Sequence, residues 1–322
     1  MFVPEYTITS KTLKNISTIE YAKAIVENTP ILANFQTRLQ KEAEVDFVKD
    51  ILESTGYKIS YESIKKSIEF NQKNIQEVDK VLNALYNVRE LAMVAEIDEE
   101  TIKRVRKLIS DDAKYRQTKK DNKTEPEEIL AEMSELFDWY NSLDAKETHP
   151  VIVAGLVIAS LEIIEPYTTS NLATTLLCSN LIVKANNYSF GNYLIPSKYY
   201  SFSKKDYQFA LDSILENDYD FTTWLEFFTE NIASETSNIE QKVKLLARDS
   251  KLAKSTGRTD LTSRQERIIE YLQDYGMIQN KQFSRIFPDV SEDSVLRDLK
   301  KLVEMDIVAK RGSTKSSRYE LK

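Results

Sequence analysis

Residues 149–184 read HPVIVAGLVIASLEIIEPYTTSNLATTLLCSNLIVK, and this stretch decides the fold. Pro150 opens a run that is apolar on almost every side, and Pro166 stops it because proline cannot continue a helix. A second apolar run, residues 171–184, begins after the short polar segment 167–170. Helices that are apolar all round are buried. The stretch therefore predicts two buried helices, joined by a short loop, at the centre of a mainly α-helical protein.

Composition excludes several classes of protein. The chain has 322 residues, of which 41% are hydrophobic and 30% are charged, enough apolar material for a sizeable core. A single cysteine, Cys178, and a single histidine, His149, exclude a disulfide framework and metal centres rich in cysteine or histidine. No glycine-rich phosphate-binding motif occurs. We expect about two domains and no metal site.

Nothing in the sequence indicates a membrane. No apolar run approaches the roughly 18 residues that a membrane-spanning helix needs. The first ten residues, MFVPEYTITS, lack the basic and apolar blocks of a secretory signal. We therefore expect a cytoplasmic protein without a membrane partner.

Apolar residues recur at helical spacing on both sides of the central pair. The further predicted helices span residues 11–26, 32–52, 60–70, 75–94, 102–109, 127–143, 205–215 and 221–239. The polar residues 111–126 predict a loop. These patterns predict a helical domain at residues 1–250, with N-terminal helices in 1–110 and a central core in 127–240, followed by a linker at 251–260.

Residues 261–322 predict a small α+β domain of three helices and a two-stranded hairpin. The capping box Thr262-x-x-Gln265 opens the first helix, and Ser291 can cap the third. The first helix ends at Gly276, the second spans residues 281–287, and the strands are residues 307–309 and 319–321. This order of elements resembles a winged helix-turn-helix.

The charge of this module differs from that of the rest of the chain. Residues 257–322 carry a net charge of +2, whereas the preceding residues carry −9. In a winged helix the third helix enters the major groove and the hairpin contacts phosphates. The candidate DNA contacts are Ser294, Arg297, Lys300 and Lys301 on the third helix and Lys310, Arg311, Lys315 and Arg318 on the hairpin. We expect Arg297 to reach a base, because a guanidinium can pair bidentately with guanine.

The same module leaves an alternative open. Glu292, Asp293 and Asp298 share the third helix with its basic residues. Winged helices also bind proteins, and a charged hairpin is often only a solvated surface. The basic residues therefore favour DNA binding without requiring it.

The central stretch resembles the core of Fic (Fido) proteins. The similarity lies in residues 149–155, in residues 163–167 and in Asn171 at the start of the following helix. Weaker similarity covers Tyr6 to Thr9, residues 32–43 and 81–91, and Tyr207, Leu211, Trp224, Phe227 and Phe228. The resemblance spans nearly the whole chain and implies a helical Fic-like domain, to which a C-terminal winged helix is commonly added. Fic enzymes mostly transfer AMP from ATP to a protein hydroxyl group.

The resemblance also shows which motif residues this chain lacks. The Fic motif, H-P-F-x-(D/E)-G-N-G-R-x-x-R, lies in the loop between the two central helices, and this chain retains Pro166, the aromatic Tyr167 and Asn171. It carries Glu165 for the histidine that takes the hydroxyl proton, Thr169 for the acid that holds Mg²⁺, Ser170 and Leu172 for two glycines, and Ala173 and Leu176 for two phosphate-binding arginines. We therefore expect no catalytic residue in this loop.

These departures change the charge of the loop. The family motif supplies one carboxylate and two guanidinium groups, whereas the motif positions here supply only the Glu165 carboxylate, a net charge of −1. Phosphoryl transfer depends on charge neutralisation, so a triphosphate would be repelled. We expect neither Mg²⁺ nor ATP to bind tightly. The helix N-terminus at Ser170 and Asn171 could still hold a small anion weakly.

Two further parts of the family's machinery differ in this chain. Some Fic proteins carry an inhibitory glutamate that pairs with the second motif arginine; an ungapped alignment puts Asp50 at that position and Leu176 at its partner. The flap that holds a target peptide by strand addition would fall in residues 115–126, which are polar and favour no strand. The resemblance thus implies that neither device works in this protein.

The remaining reactive residues have structural explanations. His149 precedes a proline at the start of a helix, which predicts a helix cap rather than a catalyst. Cys178 lies on an apolar helix face, which predicts a small buried residue.

We therefore expect a catalytically silent Fic-like protein that acts as a DNA-associated regulator or adaptor, as a homodimer. One alternative is a transferase with an altered active site, in which Glu165 is the base and the donor is a nucleotide or another phosphate compound. A second alternative is a protein-interaction scaffold with an unknown protein partner.

Overall fold

The computed structural model describes residues 2–31, 33–70, 75–94, 96–121, 123–201, 203–255, 261–288, 290–305, 307–312 and 317–321. Helices dominate these residues, and one small sheet lies close to the C-terminus, as the sequence predicts. No helix within these ranges is long and apolar enough to cross a membrane.

The N-terminal part of the described chain is a series of helices. They are α1 (Ser10–Asn28), α2 (Ala33–Ser54), α3 (Tyr61–Phe70), α4 (Gln76–Val94), α5 (Glu99–Lys107), α6 (Ile129–Tyr140) and α7 (Leu143–Glu147). Local residue types set several of their starts: Thr9, Asp98 and Ser142 cap α1, α5 and α7 by accepting a hydrogen bond from a backbone N–H. Five of the seven correspond closely to predicted helices. Helix α5 starts three residues before the predicted one. Helix α7 begins at residue 143, where the predicted helix 127–143 ends.

Five helices complete the larger part of the protein. They are α8 (Pro150–Ile164), α9 (Asn171–Ala185), α10 (Lys198–Ser201), α11 (Lys204–Glu216) and α12 (Thr222–Ser255). The predicted cap at His149 is confirmed, because its Nδ1 accepts a hydrogen bond of 3.3 Å from the Val151 N–H. Cys178 of α9 is buried, as predicted.

The central helix α8 packs closely against α12. Every residue of α8 after Pro150 is buried. A Cβ atom at Gly155 would lie 2.9 Å from Leu225 Cδ2 and 3.0 Å from Phe228 Cδ1, so a larger residue here would force these side chains to shift. Trp224 Nε1 donates a 2.8 Å hydrogen bond to the Gly155 carbonyl. These contacts fix α8 against α12 near the middle of α8.

Helix α12 is longer than the sequence predicts. The sequence predicts a helix at residues 221–239, a helix tail that begins at residue 242 and a linker at residues 251–260, but α12 is continuous to Ser255. The apolar face extends through Val243 and Ala247, which are buried, while α12 runs along α1. Residues 251–255 are therefore helical rather than linker, and residues 256–260 lie outside the described residues.

The C-terminal module combines three helices with a sheet. Its elements are α13 (Ser263–Tyr275), β1 (Ile278–Gln279), α14 (Phe283–Ile286), α15 (Glu292–Glu304), β2 (Val308–Arg311) and β3 (Arg318–Leu321). The strands are antiparallel in the order β1-β3-β2, with Lys310 opposite Tyr319 and Ile278 opposite the same tyrosine. The predicted two-stranded hairpin is thus a three-stranded sheet, because β1, two residues long, joins its edge.

This module has a hydrophobic core of its own, built around Ile268, Phe283 and Leu299. The predicted capping box of Thr262 and Gln265 is present. Ser291 precedes α15, but its hydroxyl lies 2.9 Å from the Ser294 hydroxyl and makes no cap hydrogen bond with the backbone. Helix α13 also packs against α2, which joins the module to the larger part of the protein.

Candidate functional site

The loop between α8 and α9, residues 165–170, is the candidate site. It begins at Glu165, which ends α8 in the left-handed conformation with φ of 44°. It ends at Ser170, which is also left-handed, with φ of 51°, directly before α9. Left-handed backbone costs a residue with a side chain roughly 1–2 kcal/mol. Contacts around the loop therefore have to hold it in this shape.

Asn171 holds the loop from its inner side. Its Oδ1 accepts a 2.8 Å hydrogen bond from the Tyr167 N–H, and its Nδ2 donates to the Tyr167 carbonyl at 2.6 Å. The same amide nitrogen lies 3.4 Å from Glu165 Oε1. Both Asn171 and Tyr167 are buried, so these bonds satisfy backbone groups that water cannot reach. The one polar motif residue that the chain retains thus has a structural role.

Arg116 holds the loop from its outer side, and its side chain is almost completely buried. Its guanidinium donates hydrogen bonds to four carbonyls: those of Glu165 at 2.8 Å, Ile164 at 3.2 Å, Thr118 at 2.8 Å and Thr124. The Arg116 N–H donates to the Pro166 carbonyl at 2.9 Å. These bonds fasten residues 116–124 to the end of α8.

Two lysines of the same segment bind the Glu165 carboxylate. Lys120 Nζ bonds directly to Oε1 and lies 3.3 Å from the Thr168 carbonyl. Lys123 Nζ lies 3.7 Å from Oε2 and donates to the Glu162 carbonyl at 2.8 Å. The Glu165 side chain is 22% exposed, so solvent reaches a carboxylate that the chain's own cations already neutralise.

Arg106 of α5 is a fourth cation beside the loop. Its guanidinium carbon lies 4.9 Å from the centre of the Tyr167 ring, within the range of a cation–π interaction. Its nitrogens donate to the Ser170 carbonyl at 3.2 Å and to the Asp112 carbonyl at 3.0 Å. The arginine is buried and joins α5 to the start of α9.

These cations correct the predicted charge of the loop. The motif positions alone give −1, but Arg116, Lys120, Lys123 and Arg106 add four positive charges in direct contact with the loop, which makes the balance +3. The charge predicted from the motif positions alone therefore omits four cations that other segments supply. The signal in the sequence is a basic run: residues 103–123 include nine lysines and arginines and three aspartates.

The remaining motif positions offer little to a metal or a phosphate group. Ala173 and Leu176 are completely buried in the core. Thr169 is exposed but brings only a neutral hydroxyl. Within the described ranges, no cluster of three potential metal ligands occurs. A cavity beside Tyr167, Asn171 and Thr174 has room for about one water molecule.

The segment predicted to lie at the flap position, residues 115–126, forms no strand where it is described.

Asp50, at the position of the inhibitory acid, is buried and its Oδ2 accepts a 2.5 Å hydrogen bond from the Ser197 hydroxyl. Burial raises the pKa of Asp50 to about 6. The acid thus interacts with the segment before α10 rather than with a cation of the loop.

The predicted DNA contacts on α15 lie at the surface of the C-terminal module. Arg297, Lys300 and Lys301 are exposed. Ser294 is half-buried, and its hydroxyl contacts that of Ser291. The structure thus brings three cations together on one helix.

The predicted contacts on the hairpin are also exposed. Arg318 Nε lies 2.8 Å and Arg311 Nε 3.9 Å from carboxylate oxygens of Glu320, and Lys310 Nζ lies 5.9 Å from the centre of the Tyr319 ring. Lys315 lies outside the described residues. The hairpin therefore presents three described cations and one acid.

Replacing the buried carboxyl of Asp50 tests its environment. The folded protein holds the Asp50 proton more tightly than an unfolded chain does, so this stabilising contribution is complete below about pH 4 and is lost as the pH rises through 6. We expect Asp50→Asn, which keeps a partner for Ser197, to raise the free energy of unfolding relative to wild type. The gain should grow by about 1–2 kcal/mol between pH 5 and pH 7.5 in urea titrations.

Asp138→Asn is the matched control, because Asp138 is exposed on α6. Its difference from wild type should stay constant over the same pH range. A gain for Asp50→Asn that does not change with pH would contradict the account of this carboxyl.

Comparisons with known proteins concern the fold. No protein-family model and no curated protein matches the sequence. A Fic family protein from Desulfovibrio desulfuricans is similar over 100% of this chain and 98% of its own, with a TM-score of 0.62 and 16% identity. A Fic domain-containing signaling protein from Bacteroides thetaiotaomicron has a TM-score of 0.53 and 16% identity over 75% of this chain and 98% of its own. Fic-1 from C. elegans has a TM-score of 0.55 and 15% identity over 74% of each chain.

The similarity in fold extends over the whole chain. The first of these structures matches the whole length of the chain, so it includes both the helical part and the C-terminal module. At 15–16% identity, these structures bear on the fold alone. The protein therefore has a Fic fold, followed by a small α+β module.

Proposed function

We propose that this protein is a DNA-associated regulator or adaptor, in which a Fic-fold body is joined to a DNA-binding winged helix. The order α13, β1, α14, α15, β2, β3, with β3 between the other strands, supports a winged helix-turn-helix. The observation that carries the proposal is that exposed cations lie on α15 and on the hairpin, the two parts that contact DNA in such modules.

Helix α15 separates its apolar and basic residues clearly. Val295, Leu299 and Leu302 have no exposed surface and belong to the core of the module. Arg297, Lys300 and Lys301 lie between these apolar residues in the sequence and are exposed. The acids Glu292 and Asp293 lie in the first turn of the helix, where their negative charges stabilise the helix by interacting with its dipole. Beyond this turn the exposed charged residues of α15 are these three cations and one acid, Glu304.

The hairpin adds cations that could bind a phosphate group. Arg311 and Arg318 share the Glu320 carboxylate, and exposed ion pairs of this kind contribute little to stability. Lys310 is exposed one residue before Arg311 on β2. Contacts from such residues to phosphates would position the module on a duplex without selecting a sequence.

We propose further that the Fic-fold body does not carry out AMP transfer. The residues of the loop do not fit a magnesium-bound triphosphate: a hydroxyl stands for the metal-binding acid at Thr169, and the two arginine positions are the buried, uncharged Ala173 and Leu176. The Glu165 carboxylate, which replaces the motif histidine, is bound by Lys120 and Lys123. The proposed role of the body is therefore structural or regulatory.

We also propose that the protein acts as a homodimer in the cytoplasm. Helix-turn-helix proteins commonly bind two half-sites about one DNA turn apart as dimers. A dimer would double the exposed cations that each C-terminal module offers to DNA. The alternative is that the same module binds another protein. The DNA-binding experiment distinguishes between the two.

We expect the full-length protein to bind fluorescently labelled duplex DNA with an affinity that falls steeply with salt. Arg297→Ala should weaken binding by about 1–3 kcal/mol, and Lys310→Ala should lower the slope of log affinity against log salt by about 1. Fluorescence anisotropy at several potassium chloride concentrations measures both quantities.

Lys205→Ala is the matched control, since Lys205 is an exposed lysine of α11 in the Fic-fold body. This variant should bind DNA as the wild type does. Wild-type protein that fails to bind any duplex at low salt would contradict the proposal and favour the scaffold alternative.

The cations around the loop favour a second candidate, a transferase with an altered site. The balance of +3 near Glu165 suits a phosphate-bearing donor, and Glu165 would have to exchange its lysine partners for a substrate hydroxyl. Because the metal-binding acid is missing, this candidate requires chemistry without the usual metal contact. The observation in its favour is therefore charge alone.

Incubation with nucleoside triphosphates labelled at the α-phosphate distinguishes the two candidates. We expect no label on the protein or on added protein acceptors. Label that appears with wild-type protein and with Glu127→Ala, an exposed acid before α6, but not with Glu165→Ala would overturn the proposal of a silent body.

A further inference from the structure

A separate group of polar residues lies where α4 packs against α9, at the opposite end of α9 from the loop. Arg89 of α4 has a side chain that is only 13% exposed, and its Nη1 donates a 2.8 Å hydrogen bond to Oε1 of Glu44 on α2. Lys184 lies in the last turn of α9 and is half-buried. We call Arg89, Lys184 and Asn180 of α9 the α4–α9 cluster.

Three buried donors of this cluster have no acceptor among the residues that the structure describes. They are Nε and Nη2 of Arg89 and Nδ2 of Asn180. Asn180 is 4% exposed and precedes Lys184 by four residues, so the two side chains lie on the same side of α9. A buried donor without a partner costs the full free energy of removing it from water. An acceptor that enters from solution would remove this cost.

The unpaired edge of the Arg89 guanidinium has the geometry of an oxyanion site. The Nε–H and one N–H of Nη2 point in the same direction, and this edge can bind two oxygens of one carboxylate or phosphate group. Glu44 accepts from Nη1, on a different edge. The Glu44 carboxylate also accepts from the Tyr86 hydroxyl at 3.1 Å and lies 3.4 Å from Lys41 Nζ. These contacts fix the orientation of Arg89 without using its Nε and Nη2.

The local charge favours an anion over a water molecule as the missing acceptor. Burial, and next the charge of Arg89, lower the pKa of Lys184, so the two cations are close enough to repel each other. Within the described part of the chain, no acid forms an ion pair with Lys184. Together with Lys41 and Glu44, the two cations give a local charge of +2. Water would satisfy the donors but leave the repulsion, whereas an anion relieves both.

We propose that the α4–α9 cluster binds a phosphate group, either as free phosphate or as a phosphomonoester. Two phosphate oxygens accept from Nε and Nη2 of Arg89, and the others accept from Asn180 Nδ2 and Lys184 Nζ. A phosphate group carries a charge of about −1.5 to −2 at pH 7, which matches the local +2, whereas a carboxylate carries only −1. Lys184 has no ion pair to break, so its side chain can move to admit the ligand to the covered edge of Arg89. This site is independent of the proposed function.

Calorimetric titration of the full chain with inorganic phosphate, at pH 7.5 and constant ionic strength, tests the proposal. We expect saturable binding by wild type. Arg89→Lys keeps a cation beside Glu44 but removes the two-donor edge, and Lys184→Ala removes the second cation. Each variant should bind phosphate about tenfold more weakly or worse, because each loses a charge-assisted contact with the ligand.

Lys80→Ala is the matched control, since Lys80 is an exposed lysine of α4. It removes one positive charge from the same helix and should bind phosphate as wild type does. Circular dichroism melting in phosphate-free buffer checks that each variant folds. If Arg89→Lys does not fold, the half-buried Lys184 still provides the test.

Titrations with methyl phosphate and acetate identify the class of ligand. Methyl phosphate that binds as tightly as inorganic phosphate identifies a phosphomonoester site, and binding of inorganic phosphate alone identifies a site for the free ion. Acetate that binds as tightly as phosphate would overturn the assignment to a phosphate group. Wild type that shows no saturable binding, or that binds phosphate no more tightly than Lys184→Ala does, would overturn the site itself. Neither result bears on DNA binding by the C-terminal module.

Discussion

The loop between α8 and α9 depends on the contacts that Arg116, Lys120 and Lys123 make with the end of α8. Arg116 donates hydrogen bonds to the carbonyls of Ile164 and Glu165, and the two lysines bind the Glu165 carboxylate. These bonds support a loop whose first and last residues are left-handed without being glycine. The chain's own cations thus contact this loop at the place where a nucleotide-binding loop would bind phosphate groups.

The distribution of charge connects this loop to the proposed function. Acidic residues predominate outside the C-terminal module, yet basic residues are concentrated beside the loop, along the end of α12 and on the C-terminal module. Those beside the loop are engaged by Glu165 and by backbone carbonyls. Exposed cations of α15 and of the hairpin face solvent. In this account the internal cations fix the body, and the outer ones bind DNA.

The sequence predicts those features that depend on local patterns. The all-apolar runs bounded by Pro150 and Pro166 predict α8 and the loop, and the Thr262 capping box predicts the start of α13. The sequence does not predict that Lys120 meets Glu165, because their contact depends on how distant segments pack. The sequence predicts a helix tail from residue 242 but not where this helix ends, since a polar outer face resembles a linker once the buried positions become sparse. Strand β1 has too few residues to form a pattern.

The central proposal is that the loop does not bind a magnesium-bound nucleotide. Thr169, Ala173 and Leu176 occupy the positions of the residues that would hold the metal and the phosphates. Isothermal titration calorimetry of the full chain with ATP, with and without Mg²⁺, measures this directly. The account predicts no saturable heat that depends on Mg²⁺. Tight association that requires both ATP and Mg²⁺ would contradict it.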